Sequence, residues 1–166
     1  MERRTAVECS VDIGASCEEV FDVIHDYDIR LRWDTLLSKA YILEEPSTKA
    51  GVGVSTLCVG RSTVARSGME TVYISFDRPR VAAVRMTRGP WFIADFAASI
   101  RHRPLETVAA GIRSRVVYKF RITARPKWLR IILDPLLRLL FQRETRKRLA
   151  SLKRYIETRN CALIVP

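Results

Sequence analysis

No stretch limits the possible folds of this chain more than Arg125 to Arg159, RPKWLRIILDPLLRLLFQRETRKRLASLKRYIETR. Its front half is almost wholly apolar and its rear half is basic. Apolar residues recur at Leu129, Ile132, Leu133, Leu136, Leu137 and Leu140, then at Phe141, Leu149, Leu152, Tyr155 and Ile156, which are helical spacings. At roughly 100° per residue the two sets point more than a quarter turn apart, so one straight amphipathic helix fits them imperfectly. Pro135 supplies a reason, because a proline inside a helix removes a backbone bond, whereas at the first helical position it is welcome. Asp134 just before it is a good N-cap. The pattern predicts a short helical lead-in over 127–133 and a main helix from Pro135 to about Thr158.

The remainder must supply something for that helix to cover. With 166 residues, 48% of them hydrophobic, the chain can build one domain spanning 1–166 and is short for two. Arg130, Asp134 and Arg138 interrupt its most apolar run, and MERRTAVECS at the start has no apolar signal core, so the expectation is a soluble cytoplasmic protein. Cys9, Cys17, Cys58 and Cys161 form no CxxC pair and stand near no histidine pair; they read as free thiols, and no metal site or cofactor is assigned. The formal charge of +11 is concentrated, since residues 125–159 hold eleven basic and three acidic side chains. A basic helix face is ordinarily solvated. No nucleic-acid partner is assigned, and weak contact with an anionic membrane through Arg125 to Arg159 is kept as a separate expectation.

Along the chain, 5–13 alternates as a half-buried strand, and Gly14 ends it. Ser16 and Glu19 form a capping-box pair opening a helix over 17–24. A helical or turn-rich piece over 26–37 centres on Trp33, and a strand is expected over 40–44. Further β-rich runs follow at 53–60, 69–76, 81–87, 92–100 and 110–123, separated by turn residues. GVGVSTLCVG at 51–60 reads as a kinked edge strand or bulge rather than a phosphate loop. In the last run Ile112, Ser114, Val116, Tyr118, Phe120 and Ile122 share one face, while Arg113, Arg115, Lys119 and Arg121 share the other. Strands joined by short turns pair antiparallel, and the terminal helix is the element left to cover their apolar face. The sheet must wrap the helix.

Two segments carry a resemblance to a known family. VDIGASCEEVFDVIHDYDIRLRWDTLLSKAYIL (11–43) and ETVYISFDRPRVAAVR (70–85), with the long terminal helix, resemble the START-like or Bet v 1-like superfamily and, within it, the polyketide cyclase/dehydrase-like group. The resemblance implies an α+β helix-grip fold: a curved, seven-stranded antiparallel sheet wrapped around the C-terminal helix, two short helices between strands 1 and 2, and an apolar cavity. Members bind lipids, sterols or polyketides and a minority are cyclases, so the fold selects no reaction.

Residue by residue, the chemistry is sparse. His25 and His102 sit in no nucleophile or metal pattern and read as surface or turn histidines. Glu70, Arg85 and Asp95 stand in otherwise apolar runs, and any of them inside a cavity would be a ligand anchor or a general acid. The ligand-binding candidates are Trp33, Val72, Ile74, Phe92, Phe96, Val116, Tyr118, Phe120, Leu136 and Leu140, with Tyr118 as the polar handle. No catalytic residue is assigned; Tyr118, Glu70 and Asp95 are the candidates if the protein is a cyclase or dehydratase. The leading expectation is a carrier or sensor of a hydrophobic or amphipathic small molecule. Monomer and homodimer are equally compatible with the sequence.

Overall fold

The computed structural model describes residues 6–45, 49–61, 66, 68–105 and 112–164. Within these, β1 (Val7–Ile13) is followed by α1 (Cys17–His25), α2 (Arg30–Trp33), β2 (Leu37–Ile42), β3 (Ser55–Gly60), β4 (Met69–Asp77), β5 (Val81–Arg88), β6 (Ile93–Pro104), β7 (Ser114–Ala124), a 3-10 turn (Lys127–Leu129) and α3 (Arg130–Ile164). All neighbouring strands pair antiparallel in the order β1-β7-β6-β5-β4-β3-β2. This curved seven-stranded half-barrel closed by one long helix is the helix-grip arrangement. β3 is interior and the edges are β1 and β2, which corrects the edge-strand reading of 51–60. The kink lies ahead of β3, at Gly53, whose φ of 85° is a conformation that glycine adopts freely.

Ser16 caps α1 as its sequence requires, its Oγ accepting from the Glu19 N–H at 3.2 Å. Glu19 does not complete a capping box, because its carboxylate instead takes Arg159 of α3 at 2.6 Å. Other contacts fix α3 along its length. Glu157 Oε1 accepts the Gly14 N–H at 3.0 Å, and Ser151 Oγ donates to the Trp33 carbonyl at 2.6 Å. Asp134 Oδ1 accepts the Ala124 N–H at 2.7 Å, so it joins β7 to the helix rather than capping it.

α3 is therefore one 35-residue helix with Pro135 inside it, not a lead-in followed by a fresh start. The N–H that Pro135 lacks would have bonded the Ile131 carbonyl, in a turn so exposed (89% at Ile131) that water can replace the partner. The inward stripe runs Leu133, Leu137, Phe141, Thr145, the adjacent pair Arg148 and Leu149, Leu152 and Ile156, in steps of three and four apart from that pair. The misfit between the two apolar sets disappears once that stripe is followed. The surplus apolar residues of the front half (Ile131, Ile132, Leu136, Leu139) face outward, and the core continues through Leu149, Leu152 and Ile156 against Ile13, Val20, Trp33 and Val116.

Two of the sheet's register shifts decide which residues reach its inner face. The register of β4 against β5 shifts between Tyr73 and Ser75, and that of β6 against β7 between Ile93 and Asp95. A bulge adds a residue and reverses which side later residues take. Phe76 thus joins Tyr73 in the cluster around Phe21 instead of sharing the outer face of Ile74, and Ile93 and Phe96 are both buried.

Candidate ligand-binding cavity

The concave face of the sheet, α1, α2 and α3 enclose a cavity of about 600 Å³. Its apolar wall comes from Phe92, Ile93, Phe96 and Ala98 of the β5–β6 region and from Leu137, Leu140 and Phe141 of α3. Phe96 and Phe141 face each other with ring centroids 5.7 Å apart. Polar groups enter from the α1–α2 side, namely His25, Arg30 and the Tyr27 hydroxyl, which meets the Tyr73 hydroxyl of β4 at 3.3 Å. Arg148 enters from α3. Thr35, Arg61, Leu140 and Lys147 line the cavity and are exposed, which places its opening between the α2–β2 turn, the end of β3 and α3.

Arg30 and Arg148, which line the cavity, are connected through Asp34. Asp34, with no exposed surface, lies with Oδ2 at 3.2 Å from Arg30 Nε and 2.9 Å from Arg148 Nε. Arg30 is held further by the Ile24 carbonyl and by Trp33, whose ring centroid is 4.4 Å from the guanidinium carbon. Burial works against the charge of Arg30 while Asp34 favours it, and its pKa ends above the ordinary value.

Both histidines are buried, contrary to the surface reading. Burial pushes His25 down to about 3, although its Nδ1 lies 2.8 Å from the Phe21 carbonyl, and pushes His102 down to about 4. His25 packs among Phe21, Tyr73 and Phe76, so at neutral pH it presents an uncharged imidazole to the cavity. Burial also raises the Tyr118 phenol and the Cys58 thiol, which leaves both protonated near neutrality.

Of the residues singled out in the sequence, Phe92, Phe96, Tyr118 and Leu140 line the cavity. Trp33, Val116 and Phe120 are buried in the adjoining core; the Trp33 indole N–H donates to the Val23 carbonyl at 3.2 Å. Val72 and Ile74 lie on the outer face of β4, where Ile74 is 55% exposed, because Met69, Thr71 and Tyr73 take the inner positions. Leu136 is also outward and Leu137 occupies its expected place. Glu70 sits outside near Arg88, at 4.0 Å, and Arg85 is exposed. Asp95 follows the β6 bulge and does not line the cavity. The cavity residues that the sequence reading missed include His25, Arg30 and Arg148, and it also missed Asp34, which pairs with both arginines. A signal existed for two of them, since Arg30 and Asp34 are spaced four apart on either side of Trp33 within the segment that carries the family resemblance.

Residues 4–157 match the sequence model of a family described as polyketide cyclase / dehydrase and lipid transport. The chain belongs to that family. Solved structures agree on the fold. The Zhui aromatase/cyclase from Streptomyces sp. R1128 superposes with a TM-score of 0.77 at 17% identity, covering 93% of this chain and 94% of that one. A START superfamily protein from Mycobacterium smegmatis gives 0.74 at 11% identity, covering 92% and 97%. The di-domain aromatase/cyclase BexL from the BE-7585A biosynthetic pathway gives 0.68 at 13%, covering 92% of this chain and 46% of that one. No curated protein sequence matches this polyketide cyclase-like chain. Among the described residues no helix is long and apolar enough to cross a membrane, and no three His, Cys, Asp or Glu side chains gather as metal ligands.

Proposed function

We propose that the protein binds a hydrophobic or amphipathic small molecule between its sheet and α3, as a carrier or sensor. The observation that carries this reading is the cavity itself, about 600 Å³ and mostly apolar, with a few polar groups gathered on the α1–α2 side and at Arg148. Burying a ligand's apolar surface there contributes about 25 cal/mol per Å², and the polar groups fix its orientation. Native mass spectrometry and solvent extraction of the purified protein should recover a co-purified lipid or aromatic compound. A protein that is repeatedly empty and ignores fatty-acid, sterol and aromatic ligands would contradict the reading.

A cyclase or dehydratase is the second reading, favoured by Tyr118, a protonated phenol in the wall of a cavity that is also lined by the neutral imidazole of His25. Such chemistry works by holding a reactive chain in one conformation next to a proton donor. Incubation with aromatic-polyketide precursors, followed by product analysis against Tyr118→Phe, tests it; equal product from both proteins and from buffer removes it.

Membrane contact has its own support. The Arg125 N–H bonds the Phe92 carbonyl at 2.8 Å and so brings the Trp91 loop beside the 126–129 turn. Trp91 and Trp128, each 78% exposed, stand in that region with Ile131 and Ile132, and Arg125 and Lys127 flank them. Exposed tryptophans with basic neighbours suit the headgroup boundary of an anionic bilayer. This patch lies on the helix end that also supplies Leu137 and Leu140 to the cavity. Co-sedimentation with anionic vesicles at low salt, absent with neutral vesicles, is the expected result.

A further inference from the structure

The apolar cavity is interrupted by a charge cluster that does not balance. Arg30 and Arg148 both line the cavity, and among the described residues Asp34 is the acid paired with either of them. Glu144, which also lines the cavity, is engaged by Lys147 at 3.0 Å. Two guanidinium groups therefore share one carboxylate, and the cluster carries one uncompensated positive charge. Arg30 is buried and the Arg148 side chain is 25% exposed, so an unpaired positive charge there is poorly solvated and an anion would offset it.

We propose that Arg30 and Arg148 form a subsite for a single carboxylate, which makes the ligand an amphipathic monoanion with a hydrophobic tail. This rests on the small-molecule binding reading above. One negative charge neutralises the cluster, whereas a phosphate monoester, with a second pKa near 6, brings nearly two at neutral pH. A guanidinium also offers parallel donors that match a carboxylate. The site is partly preorganised. Arg30 is stacked on Trp33 and tied to the Ile24 carbonyl, and Asp34 takes only the Nε side of each guanidinium, leaving donors on the terminal nitrogens. The tail has a defined course. Leu137 lies eleven residues from Arg148 on the inward stripe of α3, about 16 Å along the helix, with Phe141 and Thr145 between them.

The same triad could act only as a strut between α2 and α3. The two roles separate by the sign of charge. Arg148→Gln leaves one guanidinium and one carboxylate, a neutral pair, whereas Asp34→Asn leaves two guanidinium groups and a net charge of two. Both weaken a strut, but they drive carboxylate preference in opposite directions.

The test is fluorescence titration with dansylaminoundecanoic acid and its methyl ester at neutral pH, with circular dichroism confirming the fold of each variant. The wild-type protein should bind the acid roughly ten- to a hundred-fold more tightly than the ester. Arg148→Gln should lose most of that ratio while retaining affinity for the ester, and Asp34→Asn should keep or widen it. Equal binding of acid and ester by the wild type overturns the carboxylate subsite and leaves cavity binding standing; binding of neither overturns both. A fall in the ratio in both variants also overturns the subsite and makes the triad a strut. Where Arg148→Gln does not fold, the wild-type ratio and that of Asp34→Asn decide.

Discussion

Replacement of His102 by phenylalanine should flatten the dependence of stability on pH. His102 is buried, both of its ring nitrogens lack a hydrogen-bond partner among the described residues, and its ring centroid lies 5.3 Å from that of Phe21. Burial lowers its pKa to about 4, against about 6.5 for an imidazole in the unfolded chain. As pH falls, the unfolded state takes up the proton first. The stabilisation is therefore complete above about pH 6.5 and is lost progressively down to the folded value. Between pH 7 and pH 5 this amounts to about 2 kcal/mol for His102, and His25, lowered to about 3, loses a similar amount. Together they remove about 4 kcal/mol, a large share of the 5 to 15 kcal/mol typical of a domain. Asp12 and Asp22, held below the usual carboxylate range by hydrogen bonds from Arg115 and Arg78, act only at lower pH and do not enter this window. Urea unfolding at the two pH values should show the wild type losing about twice as much as His102→Phe. An unchanged loss in the variant would refute the claim that His102 is buried as a neutral group.

Leu152→Ala should destabilise by about 2 to 5 kcal/mol, because Leu152 is almost fully buried where α3 meets the core; a shifted urea midpoint with an unchanged slope is the expected readout. Gly68→Ala should cost about 1 to 2 kcal/mol, since the residue has a φ of 69° and its added Cβ would stand 3.1 Å from Leu57 Cδ1; the thermal midpoint measures this. Trp128→Ala and Trp91→Ala should each reduce co-sedimentation with anionic vesicles while leaving the urea midpoint nearly unchanged, because both side chains are exposed.

The fold was legible because its elements follow simple periods. β7 shows the point: residues 114, 116, 118, 120 and 122 alternate with Arg115, Lys119 and Arg121, Val117 being the exception, and all five are buried. Alternation failed where a bulge intervened. Glu70, Val72, Ile74 and Phe76 share one parity in sequence, yet the shift between Tyr73 and Ser75 sends Phe76 inward and leaves Ile74 outside. Nothing in the residue types around Ile74 announces an inserted position, since a bulge is set by the pairing of two strands and not by one strand's composition. The second strand was also displaced, starting at Leu37 rather than near Ala40, because α2 ends at Trp33 and leaves its neighbours free to pair.

The site was less legible than the fold because its polar members stand where hydrophobic periodicity expects apolar ones. Apolar residues alone define two directions on α3. Admitting the buried Thr145 and the partly buried Arg148 as inward positions joins Leu133, Leu137 and Phe141 to Leu149, Leu152 and Ile156 in a single stripe. An arginine in a basic run reads as solvent-facing, and this reading holds for Arg143, Arg146 and Arg154, which are exposed. Arg148 differs from them only by helical phase and by the presence of Asp34, a residue more than a hundred positions away. A helix-grip domain can bury such a group because α3 faces both the core and the cavity, so one turn can contribute packing through Leu149 and a charge to the cavity through Arg148. The cavity is thus a continuation of the core in which one stretch of the inward stripe has been given to polar side chains. A sequence reading that sorts residues into buried apolar and exposed charged classes must overlook that stretch.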